Sequence, residues 1–196
     1  MDRRRILQGA AATAAAALIP ASVRATAATS GDTDYPSAHW APASTSNYTV
    51  STRPSAYPVQ YVIIHVTQET FSDAVAIFQN PAKQVSAHYV VRSADGYIDQ
   101  CVREKNIAWH AGNWDYNTRS IGIEHEGYVD QPAYFTDAMY EKSALLTASV
   151  CDRYGIPKDR AHILGHVQVP GTDHTDPGPL WDWVRYIRLV NLLSAA

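Results

Sequence analysis

The chain has 196 residues, a length typical of a single domain with short appendages. Its 16 Lys and Arg residues and 19 Asp and Glu residues give a formal net charge of −3, and its apolar content of 46% is sufficient for a globular core. This slightly acidic chain has no excess of basic residues with which to bind nucleic acid or an anionic membrane, so functions that depend on such binding are excluded.

The first 27 residues have the pattern of an export signal. Three arginines at residues 3–5 precede an alanine-rich apolar stretch up to Pro20, and residues 25–27 form a small-residue cleavage site. The adjacent arginines favour the twin-arginine route, with an ordinary secretory leader as the alternative. The apolar stretch is short for a permanent membrane span. We therefore expect an exported protein of the extracellular space, cell wall or periplasm, with no membrane span in its mature chain.

The leader contains four basic residues and one acidic residue, so its removal leaves a net charge of −6. Residues 28–57, which follow it, are rich in Ser, Thr, Ala and Pro, as is typical of a linker or an irregular arm. The aromatic side chains of this segment, Trp40, Tyr48 and Tyr57, are expected to anchor it to the domain rather than to contact a sugar. Residues 58–196 are predicted to form the folded domain.

The domain begins with a β-branched apolar run at residues 59–67, which predicts a buried strand. Residues 70–79 are predicted to form a short helix. Two further strands, at residues 87–92 and 97–102, are separated by an Asp-Gly turn at residues 95–96, which is typical of a hairpin.

The middle of the chain is predicted to contain a loop at residues 109–117 and a fourth strand at residues 120–127. A helix is predicted over residues 135–154. Thr136 is its expected N-cap, and Gly155 is its expected C-terminal stop.

The last part of the chain is predicted to contain a short apolar segment at residues 162–164, a long loop at residues 165–179 and a final helix at about residues 180–193. The apolar side of that helix is predicted to comprise Trp181, Val184, Ile187, Leu189 and either Leu192 or Leu193. Helices interleaved with strands of both hairpin and crossover type predict an α/β domain with a central mixed β-sheet flanked by helices.

The two cysteines, Cys101 and Cys151, leave two alternatives open. Export permits a disulfide bond between them, and two buried free thiols are the other reading. Neither cysteine has a His or Cys neighbour at a spacing typical of a zinc ligand.

Three side chains form a candidate zinc site. His65 ends an apolar strand, and His166 and Asp176 lie in the long loop. Two imidazoles and one carboxylate, with water in the fourth position, are typical of a catalytic zinc site, in which zinc lowers the pKa of the water to about 7. Each residue alone has an ordinary structural interpretation, such as a turn aspartate, and only the combination favours a metal.

Six stretches of the sequence form a recognisable series: Val62-Ile63-Ile64-His65, residues 86–92 with Asp95-Gly96, Ala108-Trp109-His110-Ala111-Gly112, Ser120-Ile121-Gly122-Ile123-Glu124, Gly165-His166 and Thr175-Asp176-Pro177-Gly178-Pro179. In these stretches and in their order, the chain resembles the N-acetylmuramoyl-L-alanine amidase family, which includes AmpD-type enzymes, bacteriophage T7 lysozyme and animal peptidoglycan recognition proteins. The resemblance implies a peptidoglycan recognition protein-like amidase fold, a central mixed sheet with helices on both sides.

The resemblance also implies an activity, which is hydrolysis of the amide between the lactyl group of N-acetylmuramic acid and the L-alanine of the peptidoglycan stem peptide. It implies one Zn²⁺ per chain, held by His65, His166 and Asp176. Glu124 falls on the catalytic carboxylate of the AmpD-type pattern, and we expect it to act as the general base.

His174 departs from the AmpD-type pattern, in which this position is commonly lysine. We expect His174 to be catalytic, either by a hydrogen bond to the developing oxyanion or by passing a proton to the leaving amine. The alternative is that His174 binds zinc. The catalytic tyrosine of T7 lysozyme-like members is replaced by Ala87.

The resemblance places residues 109–117 beside the substrate groove. Trp109, His110 and Asn113 are therefore candidate substrate-binding residues, with burial or turn formation as the alternatives. Tyr89 and His125 are expected to face away from the site, since neighbouring residues of a strand point to opposite faces of the sheet.

The predicted protein is thus a monomeric, exported zinc amidase that acts on peptidoglycan or on muropeptides. The main alternative is a peptidoglycan-binding protein of the same fold that has lost catalysis. Three candidate ligands favour the enzyme, and hydrolysis of a different amide or peptide bond is a third interpretation.

Overall fold

The computed structural model describes residues 33–192. The predicted leader therefore lies outside the described residues. Within residues 33–192, no helix is both long enough and apolar enough to cross a membrane.

The described chain contains eight strands and four α-helices. The strands are β1 (His39–Trp40), β2 (Tyr48–Thr49), β3 (Tyr61–Val66), β4 (Tyr89–Val91), β5 (Ile98–Gln100), β6 (Ile107–Ala108), β7 (Ser120–His125) and β8 (Ile163–Gly165). The helices are α1 (Phe71–Gln79), α2 (Trp114–Arg119), α3 (Asp137–Tyr154) and α4 (Trp183–Leu192), and short 3₁₀ turns lie at Pro132–Tyr134 and His166–Gln168.

Six of the strands form one mixed sheet in the order β1-β5-β4-β7-β3-β8, and β2 pairs with β6 in a separate ribbon. The β4–β5 pair is antiparallel, as the Asp-Gly turn predicts, and the other pairs of the large sheet are parallel. The predicted mixed sheet is therefore confirmed.

The register of the parallel strands decides which side chains meet at the edge of the sheet. His65 on β3 lies opposite Glu124 on β7, and Ile64 lies opposite Gly165 on β8. Since His166 directly follows Gly165, the carboxyl ends of three neighbouring strands bring His65, Glu124 and His166 to one place.

Alternation along the strands separates the two faces of the sheet. Val62 and Ile64 on β3, with Ile121 and Ile123 on β7, belong to a large apolar cluster that also contains residues of α3 and α4. A second cluster on the other face joins Val90 and other residues to α1. Helices therefore cover both faces of the sheet. On β3 and β7, the residues that alternate with those of the first cluster point to the α1 side, and they include His65 and Glu124.

The predicted caps of α3 are confirmed, although the helix begins at Asp137, two residues after its predicted start. The hydroxyl of Thr136 accepts a hydrogen bond from the N–H of Met139, and Gly155 has the left-handed φ of 66° that favours glycine at a helix end. These signals lie within a few residues of each helix end, so the sequence alone contains them.

One sequence prediction about helices is wrong, and a second is confirmed only in part. The region predicted as a loop at residues 109–117 contains the start of α2, whose N-terminus is capped by the side chain of Asn113. On α4, Val184 and Leu192 are 85% and 70% exposed, whereas Tyr186 and Val190 are buried. Trp181, Ile187 and Leu189 pack against the core, as predicted. The hydroxyl of Tyr186 lies 2.7 Å from that of Ser143 on α3, and this buried contact places Tyr186 on the inward side of α4 as well.

The segment before β3 is part of the folded structure. β1 pairs with β5 at the edge of the sheet, and the arm carries Arg53, whose buried guanidinium donates to the carbonyl oxygens of Glu104, Thr118 and Ser120. Trp40 and Tyr48 are half-buried, whereas Tyr57 is 39% exposed. The aromatic side chains of β1 and β2 therefore anchor this segment more than Tyr57 does.

Cys101 and Cys151 are both buried and are not joined by a disulfide. Cys101 belongs to the apolar cluster that contains α1 residues, and Cys151 belongs to the cluster of α3 and α4 on the other face of the sheet. Because the sheet separates the two thiols, the reading as free apolar side chains applies.

Candidate functional site

A cleft of about 500 Å³ opens at the carboxyl ends of β3 and β7. The three predicted metal ligands and the predicted catalytic pair share this cleft. Its lining includes His65, Glu124, His166, His174 and Asp176. Polar and titratable groups concentrated in one concave site are typical of an active site.

His65, His166 and Asp176 are all buried and converge on one point. The Nδ1 atoms of the two histidines are 3.1 Å apart. Nδ1 of His65 lies 3.3 Å from Oδ2 of Asp176, and Nδ1 of His166 lies 3.2 Å from Oδ1. The three side chains therefore present potential ligand atoms at nearly equal spacing.

The local chain path explains why His166 and Asp176 are side by side. The N–H of Val167 donates to the carbonyl oxygen of Asp176 at 2.9 Å, which ties the two ends of the loop together. A Cβ at Gly165 would lie 2.7 Å from Cδ of Pro177, so only glycine allows the loop to return this closely.

Replacing Gly165 by alanine is therefore expected to lower the free energy of unfolding by about 1–3 kcal/mol, because the added methyl group would overlap Pro177. Urea unfolding of the wild type and the variant measures the difference. An unchanged unfolding midpoint would contradict the tight approach of Pro177 to β8.

Charge in the cluster is dominated by Asp176. Burial acts to raise the pKa of this carboxyl, but the adjacent imidazoles of His166 and His65 outweigh burial and hold the pKa well below its usual range. Burial lowers the pKa of His65, and Asp176 opposes that effect. Asp176 is thus held ionised, as a carboxylate that binds a divalent cation must be.

Glu124 lies beside this cluster with an unsatisfied carboxyl group. Its Oε2 atom is buried and finds no hydrogen-bond partner among residues 33–192. Burial raises the pKa of Glu124 well above its usual value, and the charge of Asp176 raises it further. A buried carboxyl without a partner is costly to keep, and such groups are often found where chemistry requires them.

His174 lies at the mouth of the cleft, and its side chain is 60% exposed. Its ring stacks on that of His166 with the centroids 4.2 Å apart, and its Nδ1 is 3.5 Å from Oδ1 of Asp176. The buried group of potential metal ligands consists of His65, His166 and Asp176, so His174 adjoins this group from the solvent side.

The three candidate substrate-binding residues are in different environments. Trp109 is half-buried, lines the cleft and donates from Nε1 to the hydroxyl of Thr49. His110 is buried, with Nδ1 3.0 Å from Nε2 of His65. Asn113 caps α2 and donates to the carbonyl oxygen of Pro170, which matches its alternative reading as a residue of turn chemistry.

Tyr89 and His125 face away from the cleft, as predicted. The hydroxyl of Tyr89 donates to the buried carboxylate of Glu104. The imidazole of His125 lies between the carbonyl oxygen of His65 and the hydroxyl of Ser143, on the side of the sheet covered by α3. Both residues belong to the packing of the domain.

One wall of the cleft was not predicted from the sequence. It is apolar and includes Ala74, Ile77, Phe78 and Val85. The periodicity of α1 could have suggested a buried face, but no local signal shows that this face ends beside the candidate metal ligands.

Comparison with known proteins identifies the family of this chain. The chain matches the N-acetylmuramoyl-L-alanine amidase family over residues 55–179. It is 39% identical over 176 residues to N-acetylmuramoyl-L-alanine amidase A of Achromobacter lyticus, and the alignment covers 81% of this chain and 96% of that protein.

Two solved structures have the same fold. A selenomethionine derivative of AmpD is 30% identical, with a TM-score of 0.64 over 79% of this chain and 94% of AmpD. AmiD of Escherichia coli, solved with the substrate anhydro-N-acetylmuramic acid-L-Ala-D-γ-Glu-L-Lys, is 28% identical, with a TM-score of 0.59 over 72% of this chain and 61% of AmiD. The extent of the family match and of the similarity to the A. lyticus protein shows that this chain belongs to the N-acetylmuramoyl-L-alanine amidase family.

Proposed function

We propose that the protein is an exported, zinc-dependent N-acetylmuramoyl-L-alanine amidase that cuts peptidoglycan between the lactyl group of N-acetylmuramic acid and L-alanine. The single observation that carries this proposal is the convergence of His65, His166 and Asp176 next to Glu124, whose Oε2 has no hydrogen-bond partner among residues 33–192. A protein that only bound peptidoglycan would have no need for this combination of ligands and base.

The donor set fits zinc. Four ligands at about 2.0–2.1 Å in a tetrahedron have their donor atoms about 3.3–3.4 Å apart. The separations of 3.1, 3.2 and 3.3 Å are close to that value, and the last two end on different oxygens of Asp176. Two imidazole nitrogens and a carboxylate are the kinds of ligand that zinc takes in proteins. When bound, zinc supplies Lewis acidity, which makes a water more acidic and polarises a carbonyl group.

Glu124 is the group of this chain that moves the proton. Its carboxylate accepts a proton from the attacking water and returns it to the nitrogen of L-alanine as the C–N bond breaks. The buried position of Oε2 supports this role, since no described residue competes for the oxygen and its raised pKa makes it a stronger base than an exposed glutamate.

His174 assists from the open side of the cleft. Its exposed imidazole lies within reach of a carbonyl oxygen bound next to Asp176, to which it donates a hydrogen bond as negative charge develops. His174→Ala should therefore reduce kcat more than it raises KM, and comparison of the two constants tests the role.

The substrate class is a muropeptide or intact peptidoglycan. AmiD was solved with a muramyl peptide that contains L-Ala, D-γ-Glu and L-Lys, and the present chain shares its fold at 28% identity. The cleft of about 500 Å³ is large enough for the lactyl group and the first residues of such a peptide.

Mass spectrometry of the products released from purified peptidoglycan tests the proposal. The expected products are stem peptides with a free N-terminal L-alanine, and a chelator should abolish their release until zinc is restored. Cleavage at another bond would contradict the substrate assignment. Full activity in the presence of a chelator that strips the metal would contradict zinc dependence.

The proposal of export rests on residues 1–27 and carries its own prediction. Expression in a host with both export routes should yield a mature protein that begins near residue 28, because residues 25–27 form the cleavage site. N-terminal sequencing of the exported protein measures this. Replacing the arginines at residues 3–5 by lysine should block export by the twin-arginine route, and unchanged export would favour an ordinary secretory leader.

A further inference from the structure

His110 lies directly beneath the candidate metal ligand His65. Nε2 of His65 is 3.0 Å from Nδ1 of His110, and the two rings are perpendicular. Nε2 of His110 is in turn 3.2 Å from the hydroxyl of Ser120, which lies 2.5 Å from the carbonyl oxygen of Tyr116. These contacts form a chain from the ligand to the backbone of α2.

The Ser120 end of this series of hydrogen bonds sets the direction of every hydrogen bond in the series. The hydroxyl of Ser120 has one hydrogen, which it donates to the carbonyl oxygen of Tyr116, so toward His110 it can only accept. His110 therefore donates from Nε2, and its Nδ1 accepts from Nε2–H of His65. The remaining nitrogen of His65, Nδ1, is left with a lone pair that faces His166 and Asp176.

The position of His110 is built into the surrounding structure. A Cβ at Gly122 would lie 2.5–2.7 Å from three ring atoms of His110, so the sheet has a hollow that the ring fills. The side chain of Asn117 accepts hydrogen bonds from the N–H groups of both His110 and Ala111. Side-chain and main-chain contacts thus hold the ring in one place.

We propose that His110 is a positioning residue that holds the ring of His65 and presents its Nδ1 to the metal, an inference that rests on the proposed function. Partners of this kind fix the tautomer of a ligand histidine and the orientation of its ring. The partner is commonly a carboxylate, a backbone carbonyl or water, whereas here it is a second neutral imidazole that is itself oriented by a serine.

This role differs from substrate binding, which the sequence had suggested for His110. The side chain lines the cleft, but the residue is only 6% exposed. Both ring nitrogens already have partners, His65 on one side and Ser120 on the other. No nitrogen of His110 is left to bind a stem peptide or a lactyl group.

Zinc affinity is the measurement that separates the two roles. Competition with a chromophoric chelator should show that His110→Ala binds zinc about 10- to 100-fold more weakly than the wild type. At saturating zinc, KM should stay unchanged. His110→Asn should recover most of the affinity, since its amide oxygen can accept the hydrogen bond of His65. Ser120→Ala should weaken binding in the same direction but less, because it removes only the far acceptor.

His39→Ala is the matched control. His39 is exposed and stacks on Tyr97 at the edge of the sheet, so its loss removes a histidine without touching the chain of hydrogen bonds. Its zinc affinity should equal that of the wild type. Equal affinity in His110→Ala, together with a raised KM, would overturn the inference and return His110 to substrate binding.

Nitrogen-15 NMR of the zinc-loaded wild type provides a second readout that needs no variant. The expected spectrum shows His110 protonated on Nε2, with a coupling across the hydrogen bond between its Nδ1 and Nε2 of His65. Protonation of His110 on Nδ1 would overturn the inference even if His110→Ala failed to fold. Failure of the wild type to bind zinc would instead contradict the proposed function.

Discussion

Replacing Glu124 by glutamine is expected to lower kcat by about 10²- to 10⁴-fold, the range typical of the loss of a general base. Glutamine has the same shape but cannot accept a proton from water. Steady-state release of new amino groups from purified peptidoglycan measures the loss. Because Glu124 is not part of the convergent group of His65, His166 and Asp176, the variant should still bind one zinc per chain.

Glu141→Gln is a suitable control for this prediction, because Glu141 is exposed on α3 and lies outside the cleft lining. Its kcat should equal that of the wild type. Normal turnover in Glu124→Gln with zinc bound would show that another group removes the proton.

Replacing Glu124 by glutamine should also stabilise the metal-free protein at neutral and alkaline pH. The pKa of Glu124 is raised in the folded state by burial and by Asp176, so folding favours the protonated form. Its stabilising contribution is complete below the pKa of the unfolded state and is lost as pH rises through the folded pKa. Glutamine cannot ionise, so its advantage over the wild type should appear only as pH rises.

Urea unfolding in the presence of a chelator, repeated across pH, measures this difference. The two proteins should have similar midpoints in acid and diverge as Glu124 ionises in the wild type. A constant difference at every pH would mean that the folded and unfolded states bind the proton of Glu124 equally well.

Replacing Asp176 by asparagine is expected to weaken zinc binding by more than about 100-fold, which is the upper range for the loss of a residue that only supports a ligand. The substitution removes the one carboxylate of the cluster and leaves two imidazoles that compete poorly for zinc. Competition titration measures the affinity, and activity at a fixed low concentration of zinc should fall with it.

Asp173→Asn is the matched control, since Asp173 lies in the same loop but is exposed and outside the convergent group. It loses the same charge, so any general effect of charge on zinc binding would appear in both variants. If Asp176→Asn retained zinc as tightly as Asp173→Asn, Asp176 would not be a ligand.

The sequence by itself determined the local elements and the chemical nature of the site. β-Branched runs predicted β3, β4, β5 and β7, and Thr136 with Gly155 marked the ends of α3, because such signals act within a few residues. The residue types of the three proposed ligands predicted a metal site. Six motifs in order were sufficient to predict the family, and the resemblance in turn implied the role of Glu124.

Only the tertiary structure decided which side chains meet. His65 and His166 are 101 residues apart, and their approach depends on the parallel pairing of β3 with β8 and on the contact of Pro177 with Gly165. The buried side of α4 and the partners of His110 likewise depend on contacts with distant segments. Neither the periodicity of a helix nor its capping residues can predict such contacts. Packing between elements and the direction of long-range hydrogen bonds are properties of the folded chain. For this reason the sequence could not show that His110, a candidate substrate-binding residue, contacts the candidate metal ligand His65.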